Sequence, residues 1–284
     1  MLDVVVRPEG VPAPTSDTPS RVRVGRGGAA ANLAVALRAV ATTTTEVVFA
    51  GTVGDDGAGA LVIDEIRRTG VVTHVRVRPG STGAVVSMVD ADGARAMFTQ
   101  RGVNSQLRSE DVTGLFDESL AHLHVSGYTV LDDATRPLVT SLFEAARAAG
   151  ATTSVDVCSL GPLLSVGVGD FVAVARHADT LFANEEEALA VAGASDALVA
   201  LDHLARTWRE VVITRGARGA LARADAQTFQ AAARALDVVD TTGAGDAATG
   251  VYLGLRLSGA SVEEALEAAM SAAARVVGGL GSAG

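Results

Sequence analysis

Asp240-Thr241-Thr242-Gly243-Ala244-Gly245-Asp246 is the stretch on which the reading of this chain turns. It follows an apolar, strand-like run, Leu236 to Val239, and leads into a helix-like stretch carrying Ala247, Ala248, Tyr252 and Leu253. A strand that turns sharply into a helix is the building unit of a parallel α/β sheet, where ligands collect at the carboxyl ends of the strands. The helix N-terminus at such a corner offers unpaired N–H groups and a partial positive charge. Gly243-Ala244-Gly245 places almost no side-chain bulk before those donors, so an anion can approach the backbone. Asp246 then falls in the first helical turn. A carboxylate beside an anion cradle suits one task, accepting a proton from a hydroxyl that attacks a phosphoryl group. Taken alone, the stretch reads equally well as a plain corner with Asp246 as a helix-start carboxylate.

The rest of the chain supports the corner. Strand-like runs at 121–125, 152–157, 180–183, 210–214 and 236–240 take turns with helical runs near 134–149, 186–192, 196–207 and 247–257. Such alternation means a mostly parallel sheet with helices on both faces. A last helix runs from Ser261 to Val277, with Ser261 and Glu264 at capping-box spacing. Upstream, Leu2–Arg7 and Arg21–Val24 read as strands, 29–41 and 57–69 as helices, and Val47–Gly51 as a short buried strand. From His74 to Gln100 the pattern changes to strict alternation with turns at Pro79-Gly80 and 90–93, which predicts antiparallel hairpins. The 284 residues are thus expected to form one α/β domain with a small β-rich lid.

Composition removes several alternatives. All 23 basic residues are arginine. Biased coding accounts for that, but a Walker-type P-loop, a protein-kinase site and lysine Schiff-base chemistry all need a lysine, and none is present. Gly243-x-Gly245-x-x-Ala248 fits a dinucleotide fingerprint, yet the acidic strand end it needs about 20 residues on is replaced by helix. Gly25-x-Gly27-x-x-Ala30 fits as well, but follows the charged alternation Arg-Val-Arg-Val and not a buried strand. Net charge is −10 with no arginine-rich tract, which argues against nucleic-acid binding. No apolar run reaches membrane-spanning length and no signal-peptide pattern opens the chain, so no membrane association and a cytoplasmic location are expected. The single cysteine, Cys158, fits a reducing compartment. The five histidines show no metal spacing, and His122 and His124 alternate as strand residues with structural roles.

Two stretches together point to a family. Gly27-Gly28-Ala29-Ala30-Ala31-Asn32-Leu33-Ala34-Val35-Ala36-Leu37 resembles the first signature of the ribokinase-like (PfkB) carbohydrate kinases, and Asp240–Asp246 resembles the second. Gly51–Gly57, Gly70-Val71, Arg101–Asn104, Ser126–Tyr128, Asn184–Glu187 and Thr214–Gly219 are similar to further family segments, in family order. The resemblance implies a ribokinase-like three-layer sandwich with a mostly parallel central sheet and a β-rich lid, its strands within 3–24 and 74–101. It implies ATP-dependent phosphoryl transfer to a hydroxyl of a sugar, or of a nucleoside as the alternative, with ATP and Mg²⁺ required.

By the same resemblance Asp246 is the general base, and the N–H groups of Gly243, Ala244 and Gly245 form the anion hole. Asp3, Gly27, Gly28, Asn32, Arg101 and Asn104 face the acceptor, with Ser126 a weaker candidate. Asn184, Thr214, Gly216 and Gly219 line the nucleotide side, and Glu187 is linked to Mg²⁺. Asp240 and Thr242 match positions that hold a monovalent cation such as K⁺, and read equally as a turn bonded to itself. Related lids pair through exposed sheet faces, which makes a homodimer the expected assembly. Relatives carry a buried strand ahead of the aspartate that Asp3 resembles. The resemblance therefore implies that a first core strand is missing, at a cost in stability, with a catalytically weak sugar- or nucleotide-binding protein as the further alternative.

Overall fold

The structure, a computed structural model, describes residues 1–12, 15–89, 95–234 and 242–278. The chain opens with β1 (Leu2–Pro8) and β2 (Ser20–Arg26), then α1 (Ala29–Val40). β3 (Val48–Gly54), α2 (Gly57–Arg68) and β4 (Val72–Arg78) form a βαβ unit. β5 (Thr82–Val89) and β6 (Arg95–Gly102) return beside β1, giving an antiparallel and parallel mixture in the order β2-β1-β5-β6. This four-stranded sheet contains the strands expected to form the lid.

The larger half follows. β7 (His122–Val125), α3 (Gly127–Val130), α4 (Arg136–Ala148), β8 (Thr152–Asp156), α5 (Leu160–Val166) and α6 (Val168–Ala175) lead to β9 (Thr180–Asn184). α7 (Glu185–Ala192), α8 (Ala197–Leu204), β10 (Glu210–Thr214), β11 (Ala220–Ala224) and β12 (Gln227–Ala231) complete a six-stranded sheet ordered β12-β11-β10-β9-β8-β7. α9 (Ala244–Leu257) and α10 (Val262–Val277) close the described chain. Strands β7 to β10 run parallel, and β11 and β12 add an antiparallel margin.

Strand alternation explains the three layers. Leu181, Val211 and Ile213 join one core with Phe143, Phe171 and Leu201 from the helices of that side. Their neighbours Phe182 and Val212 point the other way, into a second core with Leu33, Tyr252 and Leu266. Period two across a sheet covered on both faces thus produces helix–sheet–helix. Small residues fill the tightest crossing. A Cβ added at Gly250 on α9 would overlap the Leu33 carbonyl of α1, so only glycine lets the two helices approach this closely.

Two expectations need correction. The stretch 74–101 is not all lid: residues 72–78 form β4, parallel to β3. A strand that returns through a helix can only run parallel, and the alternation there marks a half-exposed strand, not a hairpin. The parallel strands also fall into two sheets among the described residues, β3-β4 standing apart from the six-stranded sheet that ends at β7. The strand expected at 236–240 and the turn at 90–93 lie outside the described residues. The final capping box is present, with the Ser261 hydroxyl and the Glu264 backbone bonded as expected.

Candidate active site

The site gathers where α1, α9 and the carboxyl ends of β8 and β9 meet. Gly243, with φ 77°, turns the chain into α9, and Asp246 occupies the first turn. A Cβ at Gly245 would meet nothing within 4 Å, so the space before the helix N-terminus is open, as an approaching anion requires. The close crossing at Gly250 carries Asn32 of α1 to Asp246. Asn32 Nδ2 donates to Asp246 Oδ2 at 2.9 Å. The amide's orientation is fixed from behind. Arg26, itself buried, donates from its guanidinium to Asn32 Oδ1 at 2.6 Å. Because arginine has only donors, Oδ1 must face it and Nδ2 must face the carboxylate.

Asp3 reaches the same region from β1. A Cβ on Gly27 would overlap its carboxylate, so glycine at 27 is what admits this side chain. Gly28 has φ 95° and caps α1. Asp3, Gly27, Gly28, Asn32 and Asp246 are thus brought together as the sequence suggested. Burial pushes the Asp246 carboxyl up to about 6, against the Asn32 hydrogen bond, and the negative charges of Asp156 and Asp3 add to the rise.

Behind Asp246 lies a cavity of about 100 Å³, bordered by Asp156, Asn184, Glu187 and Thr214. That is room for about three waters or one small anionic group. Asn184 and Glu187 form a reciprocal cap: Asn184 Oδ1 accepts from the Glu187 N–H and Glu187 Oε2 accepts from the Asn184 N–H, each at 2.9 Å. Their spacing is therefore a helix cap as well as the cavity wall. Burial raises the Glu187 carboxyl to about 7, and Asp156 nearby adds to the shift. Glu185 pairs with Arg218 across the 214–219 turn. Gly216 (φ 55°) faces open space, while a Cβ at Gly219 would overlap the Ala231 carbonyl, so Gly219 serves packing.

The sequence did not single out Asp156. It stands at the end of β8, where a parallel sheet collects ligands, and that position was the available signal. Its carboxylate accepts from the Gly127 N–H at 2.6 Å and from Cys158 Sγ at 2.9 Å, and His124 Nε2 lies 3.8 Å away. Burial is the largest influence and pushes its pKa up, but these partners together hold it below the usual aspartate value. Burial also pushes the Cys158 thiol well up, with the Asp156 charge adding to it, which removes it as a nucleophile. Ser126 contacts Cys158 at 3.2 Å.

Asn104 is not turned to the carboxylates. Its oxygen accepts from the Gly83 N–H and its Nδ2 donates to the Thr52 carbonyl at 2.8 Å, so it braces the lid base. Arg101 lies over the Tyr128 ring, 4.8 Å from its centroid, and 4.0 Å from Asp132. Thr242 is in the turn before α9, and Asp240 lies outside the described residues. Among the described residues no group of three or more His, Cys, Asp or Glu forms a metal cage. No helix among them is long and apolar enough to cross a membrane.

The chain matches the pfkB family carbohydrate kinases over residues 1–284. It is 30% identical over 280 residues to an ATP-dependent ribose-1-phosphate kinase of Halopiger xanaduensis, covering 97% of this chain and 88% of that protein. Its fold superposes on adenosine kinase from Sinorhizobium meliloti with TM-score 0.87 at 25% identity, over 99% of this chain and 92% of that one. A putative ribokinase II from E. coli in complex with ATP and Mg²⁺ gives TM-score 0.86 at 21% identity, again over 99% and 92%.

Proposed function

The chain belongs to the pfkB family of carbohydrate kinases, which makes it an ATP-dependent sugar kinase, and from that premise we propose that Asp246 deprotonates the acceptor hydroxyl. The observation that carries this is the convergence of Asp3, Asn32 and Asp246 on one open helix N-terminus. A carboxylate with a pKa near 6 is ionised at neutral pH yet more basic than an ordinary aspartate, which suits a general base. The N–H groups that open α9, those of Gly243 to Gly245, neutralise the transferring phosphoryl group. Asp3 and Asn32 orient the acceptor's hydroxyls, and Thr214 and Gly216 border the nucleotide.

Mg²⁺ is implied by the family, and the donor set fits it. Asp156, Glu187 and Asp246 are carboxylates around one cavity, and like charges so placed favour a cation. Mg²⁺ keeps several waters and takes few protein oxygens, so the lack of a protein cage is no obstacle. Asp156 and Glu187 would hold the hydrated ion, which supplies positive charge to the phosphates. Sugars are the leading acceptors of this reading, and the likeness to an adenosine kinase keeps nucleosides as the alternative. ADP release coupled to a panel of both tests it, and acceptor-independent ADP release would contradict it.

The pH profile is a second test. Protonated Asp246 cannot accept a proton, so kcat/KM should fall as pH drops through about 6–7, where Asp246 and Glu187 titrate. Asn32→Ala removes a bond that favours the ionised form, so the acid limb should move to higher pH. A profile flat from pH 5 to 8 would argue against the base.

A homodimer contact on the lid is supported by strand register. Val4, Val6, Val22, Val24, Met88 and Phe98 share one lid face, and Val22, Val24 and Phe98 are at least half exposed. Such an apolar face suits a second copy. Val24→Asp with Phe98→Asp should yield a monomer by sedimentation if the parent is a dimer held there, and an unchanged dimer would refute it.

A further inference from the structure

The four lid strands carry six arginines and one acidic residue, Asp3, in a chain of net charge −10. Register decides where they stand, because directly paired residues share a face and successive residues alternate. Asp3 pairs with Gly25 and Val85. One row outward on the same face, Val5 pairs with Arg23 and Ser87, and in the next row Arg7 pairs with Arg21. One row inward, Arg101 falls opposite Gly83. This is the face turned to the site, since the Asp3 carboxylate lies against Gly27 and its charge is felt at Asp246. The opposite face is the apolar one.

Arginines therefore extend outward from the acceptor position, the first of them one row from Asp3. A row is two residues of strand, roughly 7 Å, about the length of a pentose. The side chains of Arg21 and Arg23 make no hydrogen bond or ion pair among the described residues. Arg23 also repels the buried Arg26, which burial already disfavours in its charged form and which Glu65 and Asp3 support. Two guanidinium groups on the face that carries Asp3 keep their donors available to an anion. A guanidinium fork matches phosphate oxygens two at a time.

On the kinase reading above, we propose that the acceptor is an anionic sugar, bearing a phosphate monoester at the end away from the hydroxyl that is phosphorylated. Arg23 binds that anion, and Arg7 and Arg21 extend the positive surface that draws it in. A neutral sugar or nucleoside leaves Arg21 and Arg23 without an anionic partner. A sugar carboxylate shares the chemistry with half the charge.

The test combines binding and turnover. Calorimetry compares pentose and hexose phosphates, the parent sugars, sugar acids and neutral nucleosides on the full chain. A sugar phosphate should bind at least tenfold more tightly than its parent sugar, and kcat/KM should favour it by a similar factor or more. Arg23→Gln should reduce that preference about 10–100-fold, the range for losing a charge-assisted hydrogen bond, mainly through KM, and Arg23→Lys should restore part of it. Tighter binding of sugar acids than of sugar phosphates would assign the anion to a carboxylate and overturn the phosphate assignment. Equal binding of neutral and anionic sugars, or a preference untouched by Arg23→Gln, would overturn the inference while leaving the kinase intact. Selective, Arg23-dependent binding without phosphoryl transfer would instead sink the kinase reading and uphold the anion site.

Discussion

Asp246→Asn lowers kcat by roughly 10²–10⁴, with the fold intact and the melting temperature at pH 8 no lower than the parent's. The size follows from the role. An amide cannot take the hydroxyl proton, so the alkoxide must form unaided, while the α9 N-terminus and the nucleotide contacts are left in place. The thermal expectation follows from the sign of the pKa shift. Asp246 is held near 6 in the folded chain, above an unfolded aspartate near 3.9. A carboxyl raised on folding stabilises the fold only while it is protonated, and that contribution disappears as pH rises from about 4 through about 6. Above that window the ionised carboxylate is a burden to the fold, and an uncharged asparagine lifts it. A variant that is inactive and also melts lower at pH 8 would mean that Asp246 is structural. Turnover near that of the parent would remove it as the base.

Gly250→Val has the second largest expected effect, on stability and geometry together. The new Cβ overlaps the Leu33 carbonyl and crowds Ala36 Cβ and Leu37 N, all on α1. Backbone cannot yield as a side-chain tip can, so α1 and α9 must separate. Overpacking of this kind destabilises by about 1–3 kcal/mol, and in a chain of this size that lowers Tm by on the order of 3–10 °C. The same separation pulls Asn32 away from Asp246, which are joined only across this crossing. Activity measured well below the new Tm should therefore still be reduced, and the acid limb of its pH profile should move up as it does for Asn32→Ala. A variant with parental Tm would show that the helices do not depend on the glycine.

Local pattern carried much of this architecture and failed in identifiable places. The corner at 243–246 was legible because a strand, two glycines and a helix-start acid are contiguous in sequence. Asn184 and Glu187 were legible as a pair, but their spacing serves a capping box and a cavity wall at once, and sequence alone does not separate those uses. β11 escaped because Ala-Leu-Ala-Arg-Ala has neither β-branched residues nor a polar alternation, and its burial comes from α10 packing over it. α5 and α6 escaped because Gly161, Pro162, Gly167 and Gly169 read as breakers, whereas the structure uses Pro162 inside a first turn and Gly167 between two short helices. Asn104 was ambiguous because an amide suits a sugar and a backbone brace equally, and in the structure it bonds the Gly83 N–H and the Thr52 carbonyl. Asp156 carried only its place at a strand end as a signal, since its partners come from β7, from the turn after it and from across the cavity.

Product stoichiometry reads phosphoryl transfer itself. Purified protein is supplied with ATP, Mg²⁺ and a sugar-phosphate acceptor, and ADP and product are counted together, the product by mass and phosphorus NMR. One new phosphate ester should form per ADP, no ADP should form without acceptor, and both should be lost in Asp246→Asn. ADP formed without a phosphorylated product, or ester formation that survives Asp246→Asn undiminished, would contradict it.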